Sequence, residues 1–233
     1  MLILPFALSL TLAASAAEPA APATAVPPAI SSAPALSEVI AKLQKFDDSL
    51  KTLKSKFEQS IKTTSGLSQS QSGTLYYSKP DRIRIEFEKP KKQLAVSDKK
   101  VLWIYQEEDK QVIRADWSEW KKNQPQLSGL LDFGHYSALF DKFDATLTAV
   151  EPSSATAVYK LALKPKSPGS YTMNLYVSPP DYFPKRTELA LEGLTVSSEL
   201  KDPQMNPELA ASLFEWKTPS GVPVINLSAP LNP

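Results

Sequence analysis

From Ser55 to Leu200 the chain is a succession of short β-prone segments cut by turn residues, and this limits the possible folds more than any other feature. The pattern predicts strands at Ser55–Thr63, Ser72–Ser78, Ile83–Glu88, Gln93–Ser97, Val101–Tyr105 and Gln111–Ala115. After an irregular helical piece at Leu127–Phe143, strands resume at Asp144–Val150, Val158–Leu163, Tyr171–Val177, Lys185–Leu191 and Thr195–Leu200. Lys79-Pro80-Asp81, Lys89-Pro90 and Ser97-Asp98 supply the breaks. The stretch "VLWIYQEEDKQV" is the plainest hairpin, an apolar run with Trp103 and Tyr105, a charged turn, and a resumed β-prone run. So many consecutive strands on short connections predict a mainly β fold with a helical lid (α+β), in which a large curved antiparallel sheet forms an open half-barrel.

Two segments are available to cover that sheet. In "LSEVIAKLQKFDDSLKTLKSKFEQSI", Ser37 is placed to cap a helix over 36–54, and Val39, Ile40, Leu43, Phe46, Leu50 and Leu53 fall on one face. The second is 123–143, where Gly129 and Gly134 are the places for a lid to bend. Along one predicted strand, Ile83, Ile85 and Phe87 share a face, while Arg82, Arg84, Glu86 and Glu88 take the other. An apolar face under so short a cover is either a filled core or the wall of a cavity for an apolar ligand.

Composition removes other classes. The chain has 233 residues, 26 Lys+Arg against 25 Asp+Glu, one His and no Cys. A net charge of +1 gives no electrostatic reason to expect a nucleic-acid partner. Without Cys there is no disulfide framework, no thiolate nucleophile and no lipid-modified cysteine, so an exported form is expected to be soluble. Seven glycines, none in a Gly-x-Gly pair, offer no phosphate cradle. The lone His135 lies in the lid segment, and the acid pairs Glu86/Glu88 and Glu107/Glu108 fall on a solvent face and in a turn. No catalytic residue, cofactor or metal site is therefore expected.

The N-terminus reads as an address. "LILPFALSLTLAA" is too short to span a bilayer and is followed by small residues, which predicts a signal peptide over 1–17, although no Lys or Arg precedes the apolar run. Residues 18–35 hold five prolines and no aromatic residue and are expected to form a disordered Pro/Ala-rich tether to a domain at 36–233. Too little chain follows Asn226 for a second domain.

Several stretches, taken in order, resemble one family. They are Phe57-x-Gln59, Gly73, Lys79-Pro80, Ile83-Arg84, Pro90, Ser97-Asp98, Leu102-Trp103-Ile104-Tyr105, Gln111-Val112, Leu127–Leu131, Leu161-x-Leu163-x-Pro165 and Phe214-x-Trp216-x-x-Pro219-x-Gly221-Val222. From about 37 to 226 they are similar to the periplasmic outer-membrane lipoprotein carriers, the LolA family. The resemblance implies a monomeric, non-enzymatic periplasmic carrier. Such a protein accepts acylated lipoproteins from an inner-membrane ATP-driven lipoprotein-releasing complex and delivers them to an outer-membrane acceptor. It also implies a lipid cavity lined by Phe57, Leu75, Ile83, Ile85, Phe87, Leu94, Val96, Trp103, Leu127, Leu130 and Leu131, with Trp103 either packing the sheet or lining the cavity. The lid tether, typically Arg in that family, falls on Lys79. Arg84 is the substitute, although alternation puts it opposite Ile83 and Ile85. Asp98-Lys99 stands where the family has an Asp-Gly turn. The alternative function is a single-domain lipid-binding sensor, or a transporter of another lipid or glycolipid, with the same fold.

Overall fold

A computed structural model describes residues 34–124, 131, 133–150, 157–167 and 171–227. The predicted signal peptide, nearly all of the tether, and Leu127, Gly129 and Leu130 lie outside the described residues.

Helix α1 (Leu36–Ser49) leads into β1 (Thr52–Thr63), β2 (Ser68–Ser78), β3 (Arg82–Lys89), β4 (Gln93–Asp98), β5 (Val101–Gln106) and β6 (Gln111–Asp116). Helix α2 (Trp117–Asn123), a 3-10 turn (Tyr136–Ala138) and the short α3 (Leu139–Lys142) then precede β7 (Phe143–Val150). Strands β8 (Val158–Pro165), β9 (Thr172–Val177), β10 (Arg186–Leu191) and β11 (Leu194–Met205) follow, and a 3-10 turn (Ala211–Phe214) and β12 (Val224–Asn226) complete the order. The strands form one open sheet, β12-β6-β5-β4-β3-β2-β1-β11-β10-β9-β8-β7. Two runs of hairpins meet where β1 pairs with β11, and every pairing is antiparallel except that of β12 with β6. The expected mainly β architecture with short helices is thus present.

Local chemistry sets several boundaries differently from expectation. Ser37 does not cap α1: the helix follows Ala35, whose carbonyl accepts from Glu38 N and Val39 N, and no side chain caps it. The helix ends at Ser49 because Leu50 is extended, so Leu53 belongs to β1. Helix α2, which periodicity did not reveal, is capped by Asp116, whose side chain accepts from Ser118 N and Glu119 N. Hydrogen bonds from Ser118 and Glu119 hold the Asp116 carboxyl below the usual range. At the Asp98-Lys99 turn, Lys99 has φ +86, and Asp98 Oδ1 accepts from Lys100 N and Val101 N, both at 2.9 Å. The side chain supports a left-handed turn without glycine.

Candidate functional site

Strand register decides which side chains share a face. Gly73, Leu75 and Tyr77 of β2 stand opposite Phe87, Ile85 and Ile83 of β3, and Phe57 of β1 stands opposite Gly73. Ala95 and Ile104 extend the row from Ile85 across β4 and β5. Phe57, Leu75, Ile83, Ile85 and Phe87 therefore lie together on one face, here the inner one. All are buried except Ile85, which is half-buried. The rings of Phe57 and Phe87 meet edge-on, centroids 5.4 Å apart, over Gly73. A Cβ on Gly73 would lie 1.9 Å from the Glu86 carbonyl oxygen, so only glycine fits there.

Leu94, Val96 and Trp103 do not join this face. Glu86 stands opposite Leu94, Arg84 opposite Val96, and Val96 opposite Trp103. Once Ile85 pairs with Ala95, the even-numbered residues of β4 and the odd-numbered residues of β5 must turn outward. On that outer face the Arg114 guanidinium lies 5.6 Å from the centre of the Trp103 ring, and Tyr105 packs on Trp216 at 5.5 Å. Val96 and Phe214 are buried there, where the 3-10 turn Ala211–Phe214 lies on β3 and β4. Arg84 Nη1 donates to Leu213 O at 3.1 Å and Nε to Glu86 at 2.6 Å, so it ties down this C-terminal strap.

The cover over the inner face is held at Lys79. Its Nζ donates to Asp47 O at 2.9 Å, in the last turn of α1, and to Gly134 O at 3.3 Å. Asp47 completes the latch, because its Oδ2 accepts from Ser137 N at 2.7 Å. Gly134 takes φ +75 against Leu50 and the Tyr77 hydroxyl, a left-handed bend in a tight space. An aromatic chain runs under the latch: Tyr77 on Phe133, Phe133 on Tyr136, Tyr136 on Phe183, and Phe183 stacked on Phe46 of α1. Leu131 and His135 are half-buried beside it. Sequence reasoning missed Asp47, although the spacing Val39-Leu43-Asp47 puts this acid on the buried stripe of α1.

Residues 48–217 match the family described as outer membrane lipoprotein carrier protein LolA. The outer-membrane lipoprotein carrier protein of Legionella pneumophila (strain Corby) is 30% identical over 192 residues, 78% of this chain and 87% of that protein. That of Chromobacterium violaceum is 39% identical over 105 residues, 45% of each chain. Among solved structures, an uncharacterized conserved protein from Thermus thermophilus shares the fold. Its TM-score is 0.53 at 16% identity, over 82% of this chain and 98% of the other. The sheet, its register and these matches together show that the chain belongs to the LolA outer-membrane lipoprotein carrier family.

Proposed function

We propose that the protein shelters the acyl chains of lipoproteins released from the inner membrane and carries them through the periplasm to an outer-membrane acceptor. The observation that supports this reading is an apolar sheet floor under a cover fastened by a few hydrogen bonds, from Lys79 to Asp47 and Gly134 and from Ser137 to Asp47. Exposing an acyl chain to water costs about 0.8 kcal/mol per CH₂, so three long chains amount to on the order of 30 kcal/mol and cannot cross an aqueous space uncovered. Apolar side chains and a movable cover meet that need with no covalent chemistry. An inner-membrane ATP-driven complex supplies the work of extraction, and a more apolar acceptor draws the cargo onward. Among the described residues no helix is long and apolar enough to cross a membrane. The reading includes removal of residues 1–17 on export.

Spheroplasts that retain a triacylated lipoprotein in their membrane provide the test. Purified protein added outside is expected to bring the lipoprotein into the supernatant as a one-to-one complex. If the lipoprotein stays in the membrane fraction under conditions where an authentic carrier releases it, the proposal is wrong.

A further inference from the structure

The inner face changes character along the strands. Toward Lys79 it is apolar, but toward the opposite end it carries a row of carboxamides. Gln93, Gln106 and Gln111 stand directly opposite one another across β4, β5 and β6. Gln71 and Gln59 do the same across β2 and β1, with Ser198 of β11 next in line. Phe87 stands opposite Gln93, and Gly73 and Phe57 lie one inward-facing position from Gln71 and Gln59, so the row borders the apolar floor.

Much of the row is internally paired. Gln111 donates to Gln106, Gln71 donates to Gln59, and Gln59 Nε2 donates to Ser198 Oγ at 2.7 Å. Two atoms are left over. Gln93 is 8% exposed and Gln71 4%, yet Gln93 Nε2 and Gln71 Oε1 are buried with no hydrogen-bond partner. Buried amides are almost always satisfied, so an orphaned donor and an orphaned acceptor at the rim of an apolar floor call for a partner.

We propose that this row is the subsite for the neutral linkage groups, carboxylic ester and amide, that join acyl chains to the head of the cargo. The proposal rests on the carrier reading and adds the chemistry of the ligand's polar end. Gln93 Nε2 donates to a linkage carbonyl, and Gln71 Oε1 accepts from a linkage N–H. Carboxamides are neutral and supply both functions, as esters and amides require, whereas a phosphate would call for Arg or Lys at these positions. Strands β2 and β4 are two spacings apart, about 10 Å, so the two atoms serve separate linkages of a branched head. The acyl chains then run from the row over Phe57, Leu75 and Ile85 toward the latch at Lys79.

A matched series tests the assignment: N-palmitoylethanolamine, ethylene glycol monopalmitate and ethylene glycol monohexadecyl ether, which share chain and head and differ in the linkage. Each displaces a fluorescent hexadecyl probe from the purified protein. The ester, which can bond only Gln93, and the amide, which can bond either Gln93 or Gln71, are each expected to bind about tenfold tighter than the ether, the worth of roughly one hydrogen bond. Gln93→Leu is expected to erase the ester-over-ether step while the amide, still able to donate to Gln71, keeps its advantage, and the double variant Gln93→Leu/Gln71→Leu is expected to bind all three alike. Gln93→Leu should unfold no earlier than the wild type, since it removes an unsatisfied buried donor, whereas Gln71→Leu also gives up the bond to Gln59. A wild-type protein that binds all three alike, or a Gln93→Leu variant that keeps the ester-over-ether step, overturns the subsite while leaving the carrier reading standing. If none of the three displaces the probe, the carrier reading falls as well. Should a variant fail to fold, the wild-type order still decides.

Discussion

At the scale of single residues, the inner face makes two demands that substitution separates. At Gly73 the demand is space, because a methyl group would collide with the Glu86 carbonyl and one of the two strands would have to shift. Gly73→Ala is expected to cost about 2 kcal/mol, in the usual range for overpacking, read as a lower denaturant midpoint with an unchanged slope. At Ile85 the demand is apolarity without close packing. Its half-burial among buried neighbours means that a carboxylate there keeps some contact with water. Ile85→Glu is expected to remain soluble and to unfold cooperatively but to lose lipoprotein capture, whereas Arg82→Glu, on the other face, captures normally. If Ile85→Glu does not fold, the position is filled core; if it captures normally, the strand is not part of the lipid surface. Alternation within β3 was legible from the sequence, since the parity of Ile83, Ile85 and Phe87 needs only that strand. The parity of β4 and β5 relative to it was not. Leu94, Val96 and Trp103 are as apolar as the inner residues because the C-terminal strap and Arg114 cover them, so both faces of these strands read as oily.

Among elements, the cover and the β9–β10 pair respond to different perturbations. The Lys79 ammonium bridges two carbonyls from separate segments, a charged donor that hydrophobic packing does not replace. Lys79→Met is expected to raise hydrogen exchange across 133–142 while leaving β1 to β5 protected, and to speed the release of bound lipid. Unchanged exchange in that segment would show that the aromatic chain alone holds the cover. On the outer face of β9 and β10, Glu188 accepts from Tyr176 Oη at 2.7 Å, from Asn174 at 3.3 Å and from Arg186, whose guanidinium lies over the Tyr176 ring. Burial, then the hydrogen bond to Glu188 and its charge, push Tyr176 up to about 12. Burial opposes ionisation of Glu188 as well, but the hydrogen bonds from Tyr176, Arg186 and Asn174 outweigh it, and this carboxyl sits below its ordinary value. The Glu188 contribution to stability is thus present above the ordinary carboxyl range and lost as pH falls through the lowered value. The Tyr176 contribution is present below 10.0 and lost as pH rises toward about 12. Tyr76, Tyr171 and Tyr182 are also raised, so an ultraviolet titration should show several late-ionising tyrosines, among them a component near pH 12 that is absent in Tyr176→Phe and shifted earlier in Glu188→Gln. Strand existence was readable here from β-branched and aromatic runs between turns, but α2 and β12 were not. The first depends on a single Asp cap, and the second on a pairing made far from its neighbours in sequence.

For the molecule as a whole, the central seam of the sheet constrains how the chain reaches its fold. The β1–β11 pairing joins the two runs of hairpins, and next to it Thr52 Oγ1 donates to Pro207 O across 155 residues of chain. Either run can form hairpins locally, but the seam closes only when both ends are present. A chain ended at Gly193 lacks β11 and is expected to show no cooperative unfolding transition, whereas one ended at Leu227 should unfold like the full chain. Non-local closure of this kind places the fold among slow folders, on the order of milliseconds to seconds. Under the proposed export, in which the chain is threaded across a membrane in extended form, that delay is useful. Strand β11, which closes the seam with β1, is made only after β1 to β10, so under that proposal the polypeptide stays unfolded and translocation-competent until β11 has been synthesised.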